Sequence, residues 1–286
     1  MKKALIRKMR CTNCGSTRIM LEEVIKSNNQ EILEGSLTCD NCGKEFKIKD
    51  GIPIFVNSED VSKDPRIRIF HEYSDRYEGW FSSEKGKVLF EIEIKALNEL
   101  IKNINLGESL EVGVGTGAFA QALGIEFGID PAWNALLIAK SKGIEVIQSV
   151  AENMPFKNES FDSVFLIVTI CYVSDPDKVI REIRRVLRRN GFLIIAFIDR
   201  ESAWGRLYLK KKLSGHIFYK HAHFYTYKEV SSFLVYNKFK IVRIVSTLRQ
   251  QPSERPVFEH PIIGHVKEAS FITVLAQKGV NNRNQW

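Results

Sequence analysis

Apolar positions along the 286-residue chain change rhythm near residue 65. Before it they come in short alternating bursts. Phe46-Lys47-Ile48-Lys49 has the two-residue period of a half-buried strand, and residues 18–26, 30–38 and 45–55 read as strands. Asp50-Gly51 marks a turn and Pro53 suits an edge position. Beyond residue 65, Phe70, Tyr73, Tyr77, Trp80 and Phe81 recur near helical spacing and predict one helix. Such an aromatic stripe serves either the core or a lid over a ligand. Phe90, Ile94, Leu97, Ile101 and Ile104 predict a second helix that ends near Gly107. Apolar runs at 110–115, 126–129, 145–148, 163–169 and 192–198 then alternate with helical patterns, as in a parallel sheet covered on both faces. The clearest helix spans 176–189, with Asp175 as N-cap, Pro176 in the first turn and Gly191 at the C-terminal cap. Strands at 240–246 and 270–276 close an α/β pattern that follows a small β-rich module.

Hydrophobic residues make up 44% and charged residues 27%, which excludes a disordered or collagen-like chain. No apolar run approaches the ~20 residues a bilayer requires, and the first eight residues lack the apolar core of a signal peptide. The expectation is a soluble, cytoplasmic protein without membrane insertion. The formal charge is +8, and ten Lys/Arg between Arg181 and Lys212 face only Glu182, Asp199 and Glu201. Such an excess attracts polyanions without naming one. Arg181, Arg184, Arg185, Arg188 and Arg189 read as a solvated helix face, without the interleaved aromatics of a nucleic-acid surface. Lys210, Lys211 and Lys212 lie closer to aromatic residues and are the better RNA candidates.

Four of the five cysteines form two C-x-x-C pairs, Cys11/Cys14 and Cys39/Cys42, separated by 24 residues. Two such knuckles can bring four thiolates to one tetrahedral zinc ion. Gly15 and Gly43 follow them and supply the tight turns. Two disulfides or a redox pair are the alternatives, disfavoured by the expected compartment and by the lack of a βαβ context. A module of about 55 residues has a marginal core, to which bound metal would contribute much of the stability. We expect a zinc ribbon over 1–57, a linker over 58–66, a second domain over 67–280 and a polar tail over 281–286.

The second domain carries Glu111-Val-Gly113-Val-Gly115-Thr-Gly117 between a strand and a helix. Glycines there allow close passage of the backbone and point amides at a ligand, and with Ala118 the loop also fits a dinucleotide fingerprint. Asp130 ends the next strand 17 residues after Gly113, where a carboxylate can accept both hydroxyls of a ribose.

The segments L-E-V-G-V-G-T-G, G-I-D-P, A-E-N-M-P-F-K-N-E-S-F-D and I-R-E-I-R-R-V-L-R-R-N-G-F-L-I-I together resemble the class I S-adenosylmethionine-dependent methyltransferases of the ubiquinone/menaquinone group. The resemblance runs from about residue 70 to 278 and implies a Rossmann-like seven-stranded sheet. It implies that Gly113, Gly115 and Gly117 pass beneath the methionine part of S-adenosylmethionine, with Glu111 bracing the loop. Asp130 would hold the ribose, Ala151 and Glu152 would meet the adenine edge, Thr169 would face the amino-acid end, and Tyr77 would close over it. Val150 stands where the family commonly has Asp, which shifts adenine recognition onto Glu152 or a backbone amide. The four-cysteine segment, ending in Asp50-Gly51-Ile52-Pro53-Ile54-Phe55, resembles the zinc domain of the small protein that activates several RNA and protein methyltransferases. Here it is fused, and it would stabilise the enzyme, contact substrate or recruit a protein partner.

Methyl transfer needs alignment and exclusion of water more than any particular side chain, and a general base only where the acceptor must lose a proton. The Asn-Pro-Pro-Tyr motif of many amino-group methyltransferases is absent; Thr169-Ile-Cys171-Tyr172-Val stands in its place. Cys171 reads as a buried thiol rather than a nucleophile. Substrate-pocket candidates are Tyr73, Tyr172, His221 and His223, the last two in a segment that also holds Trp204, Tyr208, His216, Tyr219 and Tyr225. The expected activity is methylation of a small or medium-sized metabolite. An RNA methyltransferase using the ribbon to dock, and a non-enzymatic cofactor-binding scaffold, are the alternatives.

Overall fold

The computed structural model describes residues 1–57, 61 and 63–279. Most of the expected linker lies among them, but residues 58–60 and 62 and the expected tail at 281–286 lie outside them.

The N-terminal module is an antiparallel sheet of β1 (Ile19–Ser27), β2 (Ile32–Cys39), β3 (Glu45–Lys49) and β4 (Ile52–Pro53), in that order. The alternation in β3 turns Phe46 and Ile48 inward, where Phe46 stacks on Phe55 at 4.3 Å. Asp50 and Gly51 both have positive φ and divide the expected 45–55 strand into β3 and β4. A 3-10 helix, Lys3–Lys8, precedes the sheet.

The large sheet has the order β11-β10-β12-β9-β8-β5-β6-β7. Its strands are β5 (Ser109–Val112), β6 (Phe127–Asp130), β7 (Glu145–Gln148), β8 (Phe161–Ile167), β9 (Leu187–Ile198), β10 (Phe239–Thr247), β11 (Ile262–Ile263) and β12 (Phe271–Lys278). Seven of them are the expected strands, and β11 is a two-residue addition at one edge. β5 to β9 pair in parallel, while β12 and β10 join antiparallel. β5 lies between β6 and β8, so the chain runs outward one way through β6 and β7, then returns to the other side. That reversal opens a crevice beyond the carboxyl ends of β5 and β8.

The helices are α1 (Pro65–Glu72), α2 (Ser74–Ser82), α3 (Glu84–Ile101), α4 (Ala118–Leu123), α5 (Trp133–Ser141), α6 (Pro176–Val186), α7 (Ala203–Leu213) and α8 (Tyr227–Tyr236). The aromatic stripe expected on one helix is divided between α1 and α2, which break at Tyr73 (φ −118°, ψ 27°). The helix expected to reach residue 189 ends at Val186. Leu187 is fully buried and pairs with Phe161, and Arg188 reaches Asp162 at 2.6 Å and Glu108 at 2.7 Å, so tertiary contacts draw this stretch into β9. Gly191 serves close packing rather than a cap: a β-carbon there would lie 2.8 Å from the Asp162 carbonyl oxygen. The arginine face is likewise not simply solvated. Arg185 bonds Glu182, and Arg184 donates to the carbonyls of Lys238 and Gly279.

The two sheets share one core. Met1, Leu5, Met9, Phe46 and Phe55 pack with Phe156, Phe161, Val179 and Ile183 in a continuous buried cluster. Ile54 makes a parallel bridge to Gln148, and the Phe55 amide donates to the Gln148 carbonyl at 2.9 Å, so the chain leaving β4 lines the free edge of β7. An edge strand offers unpaired backbone groups, and the module satisfies them here.

Candidate functional site

A cavity of about 380 Å³ opens at the carboxyl ends of β5 and β8. The glycine loop forms its floor. Gly113 (φ 75°) would place a β-carbon 2.2 Å from the Thr169 side chain, so only glycine fits between the two loops. Gly115 donates its amide to Asp130 Oδ2 at 2.9 Å, while Oδ1 accepts from Ala132 at 2.8 Å. Each carboxylate oxygen keeps accepting capacity toward the cavity. Gly117 (φ 79°) is the N-cap of α4 and packs against Ile144 and Ala139.

Burial pushes the Asp130 carboxyl up to about 6, against the pull of its two backbone donors. Glu111 is 1% exposed, and one of its oxygens has no hydrogen-bond partner. Burial first, then the nearby Asp130 charge, raise its pKa well above the usual carboxylate range. Two acids held this way suit a ligand carrying both hydroxyls and positive charge. S-adenosylmethionine meets that description through its ribose, its ammonium and its sulfonium, so the residues present fit it.

Val168, just past β8, has φ 51°, which is strained for a β-branched residue and costs about 1–3 kcal/mol. The bend turns Thr169 onto the glycine loop, where its hydroxyl donates to the Gly113 carbonyl at 3.3 Å. Ala151 and Glu152 line the cavity beyond β7, and Glu152 accepts from the Ser174 amide at 2.7 Å. Tyr77 projects from α2 between Phe70 and Phe81, edge to face at 5.4 and 5.3 Å. Tyr77, Glu111, Gly113, Gly115, Asp130, Ala151, Glu152 and Thr169 thus all line the cavity, whereas Gly117 lies behind it against Ile144 and Ala139.

The substrate candidates divide. Tyr172 lines the cavity, donates to the Phe218 carbonyl at 3.1 Å and meets Phe70 edge-on at 4.9 Å. Tyr73 is exposed at the break between α1 and α2, outside the cavity lining. His223 is exposed, with its ring against Tyr225, and His221 lies outside the cavity lining, in an adjoining open depression that shares Asp64 and Arg66 with it. The imidazole in the cavity lining is His216, stacked on Tyr219 at 4.7 Å with its buried Nδ1 unpartnered. Burial, with help from Lys211 and Arg76, lowers its pKa and keeps it neutral near pH 7. Cys171 is buried and its thiol is pushed up to about 12 by desolvation, which leaves it unreactive.

Glu93 on α3 also lines the cavity and was not singled out from the sequence. Its signal was there: an acid within the stripe formed by Leu89, Ile92, Ala96 and Leu97.

In the N-terminal module, the Sγ atoms of Cys11, Cys14, Cys39 and Cys42 all lie within 4.8 Å of one another. The Cys11–Cys42 and Cys14–Cys39 separations are both 3.7 Å, close to the ~3.8 Å edge of a tetrahedron with 2.3 Å metal–sulfur bonds. Side-chain amides of Asn13 and Asn41 point at Cys42 and Cys14 at 3.6 Å, as donors that stabilise thiolates. The donor set fits a zinc ion. The first knuckle is also stitched to the segment that follows cavity residues Ala151 and Glu152. Arg10 donates to the Met154 carbonyl, to Asn153 and to Glu182, and Asn153 donates to the Thr12 carbonyl at 2.8 Å.

Comparison with known proteins agrees with this geometry. Residues 110–195 match the family model described as a methyltransferase domain. An uncharacterised protein of Mycobacterium tuberculosis is 38% identical over 176 residues, 62% of this chain and 61% of its own length. The chain therefore matches less than two thirds of that relative. A crystal structure from Thermotoga maritima, described as a SAM-dependent methyltransferase and possible histamine N-methyltransferase, is 34% identical with a TM-score of 0.69. It is matched over its whole length by 75% of this chain. A chain from the complex of the Haloferax volcanii Trm112 methyltransferase activator shares the fold, with a TM-score of 0.54 at 16% identity, over 73% of this chain and 97% of that one.

Proposed function

The chain belongs to the S-adenosylmethionine-dependent methyltransferases, and we propose that it methylates a small or medium-sized organic metabolite held in the aromatic part of the cavity. The observation that carries the metabolite reading is the character of that part. It is walled by Tyr77, Tyr172, Tyr208, Phe218 and Tyr219, and the whole cavity, with the glycine-loop end included, measures about 380 Å³, the size of a small-molecule site. The basic residues that would favour RNA are largely committed elsewhere. Arg185 and Arg188 are ion-paired, Lys212 donates to the Ala222 carbonyl at 2.6 Å, and Lys211 lies over the Tyr219 ring.

In this reading Asp130 holds the ribose hydroxyls, and Glu111 receives the cofactor's ammonium. Gly113, Gly115 and Gly117 leave room for its methionine part, and Ala151 and Glu152 border the adenine. When bound, S-adenosylmethionine supplies a methyl group activated by a sulfonium. The chain's own task is then to orient the acceptor and to exclude water, which the aromatic walls favour. Where the acceptor must lose a proton, neutral His216 is the imidazole available to take it. The four cysteines hold a structural zinc ion, and the module around them braces the loop from Asn153 to Phe156. Among the described residues no helix is long and apolar enough to cross a membrane.

The test uses methyl-labelled S-adenosylmethionine with the purified protein and a cell extract separated into RNA, protein and small-molecule fractions. The proposal expects label in the small-molecule fraction. Label confined to RNA would overturn it in favour of an RNA methyltransferase, and cofactor binding without any transfer would overturn it in favour of a scaffold.

A further inference from the structure

α3 buries Leu89, Ile92, Ala96, Leu97 and Leu100 against the large sheet, and this face has no structural need for a carboxyl group. Glu93 stands on it, 8% exposed, with its side chain in the cavity lining. Among the described residues no hydrogen bond or ion pair reaches its carboxyl, and burial is the sole influence on its acidity. The basic groups of the cavity lining do not serve it. Arg66 is spent on Asp64 at 2.6 Å, and Arg76, Lys211 and His216 exert no pull on it. An isolated carboxyl in such a place is strongly disfavoured when ionised, and removing it would stabilise the fold. Its presence is explained by something that enters the cavity.

The surroundings specify that partner's chemistry. The Glu93 charge is felt by Tyr77, Tyr208 and Tyr219. Tyr208 and Tyr219 stack at 4.5 Å, and Tyr77 also feels Glu111 and Asp130, so it stands between the Glu93 end and the cofactor end. Aromatic faces carry negative potential and attract cations, most strongly where water is excluded. An anionic group would be repelled by the carboxylate. A neutral hydroxyl would gain one hydrogen bond, whereas a protonated amine gains a charge-assisted hydrogen bond together with the aromatic faces.

Resting on the methyltransferase reading above, we propose that the aromatic end of the cavity recognises an organic amine, its ammonium group held by Glu93 among Tyr77, Tyr208 and Tyr219. Burial pushes the Glu93 carboxyl up to about 8 when no cation is beside it, and a bound ammonium brings it down by favouring the carboxylate.

The experiment titrates the full chain, saturated with S-adenosylhomocysteine, with two matched sets of probes. One set is 2-phenylethylamine, 2-phenylethanol and phenylacetate; the other is tryptamine, tryptophol and indole-3-acetate. In at least one set the amine binds tenfold or more tighter than its alcohol, and the acid binds weakest. Glu93→Gln removes that preference while leaving the affinity for S-adenosylhomocysteine within twofold. Equal binding of amine and alcohol in both sets, or an amine preference that survives in Glu93→Gln, overturns the proposal alone. Failure of the wild-type chain to bind S-adenosylhomocysteine overturns the reading beneath it.

Discussion

The substitution Asp130→Asn separates the cost of the site from its use. The carboxyl is 9% exposed and raised from an ordinary 3.8 to about 6 by burial. The unfolded chain therefore releases this proton at a lower pH than the folded one. Stability falls as pH rises through that interval, and above about 6 the full penalty applies, on the order of 3 kcal/mol. The neutral amide of the variant would carry no such penalty, but its single carbonyl oxygen can satisfy only one of the Gly115 and Ala132 amides, a loss of about 1 kcal/mol. The expected net effect at pH 7.5 is a gain of about 1–2 kcal/mol, read as an apparent melting temperature a few degrees higher. Cofactor binding moves the other way. Losing one charge-assisted hydrogen bond to a ribose hydroxyl costs about 2 kcal/mol, or roughly 30-fold in Kd. Calorimetric titration with S-adenosylhomocysteine and differential scanning of the free protein measure the two effects. Affinity in the wild type should also decline below pH 6, as the carboxylate protonates, and the variant should lose that dependence. A variant that binds within twofold of the wild type would refute the assignment of Asp130 to the ribose.

Gly113→Ala should abolish cofactor binding, because the added carbon lies 2.2 Å from Thr169; retention of wild-type affinity in a titration would show that the loop is not the floor of the site. The purified protein should contain about one zinc per chain by elemental analysis, and Cys14→Ser should lower both the zinc content and the melting temperature; a metal-free chain of unchanged stability contradicts a structural zinc. Arg10→Ala removes bonds that join the first knuckle to Met154, Asn153 and Glu182 and leaves Glu182 with Arg185 and the Met154 amide, so stability should fall by about 2 kcal/mol in a denaturant titration. A loss below about 0.5 kcal/mol would mean that the module does not brace the loop.

What could be read from the sequence was local. The strand–glycine loop–helix order, Asp130 at the end of β6 and the four cysteines are signalled by short-range geometry, and the structure keeps each in its expected element. What could not be read depends on partners distant in the chain. Residues 187–189 have strong helical character, yet Leu187 joins Phe161 and Arg188 reaches Glu108, contacts that only the assembled sheet creates. The break at Tyr73 follows no proline or glycine, and no local rule marks it. Histidine spacing drew attention to His221 and His223, whereas the fold turns His216 inward by stacking it on Tyr219. Glu93 was hidden by the helical pattern that surrounds it, since periodicity reports which face is buried and not which member of that face is chemically out of place. Nor did the module's composition show that it would share its core with the larger sheet through Ile54, Phe55 and Met9.

The central claim is that the glycine loop, Glu111 and Asp130 form a site for S-adenosylmethionine rather than for a dinucleotide. The most direct measurement titrates the purified chain with S-adenosylmethionine, S-adenosylhomocysteine and NAD under one set of conditions. One-to-one binding of the first two and none of the third is the expected result. Binding of NAD, or no binding of either S-adenosyl compound by a folded chain, would contradict it.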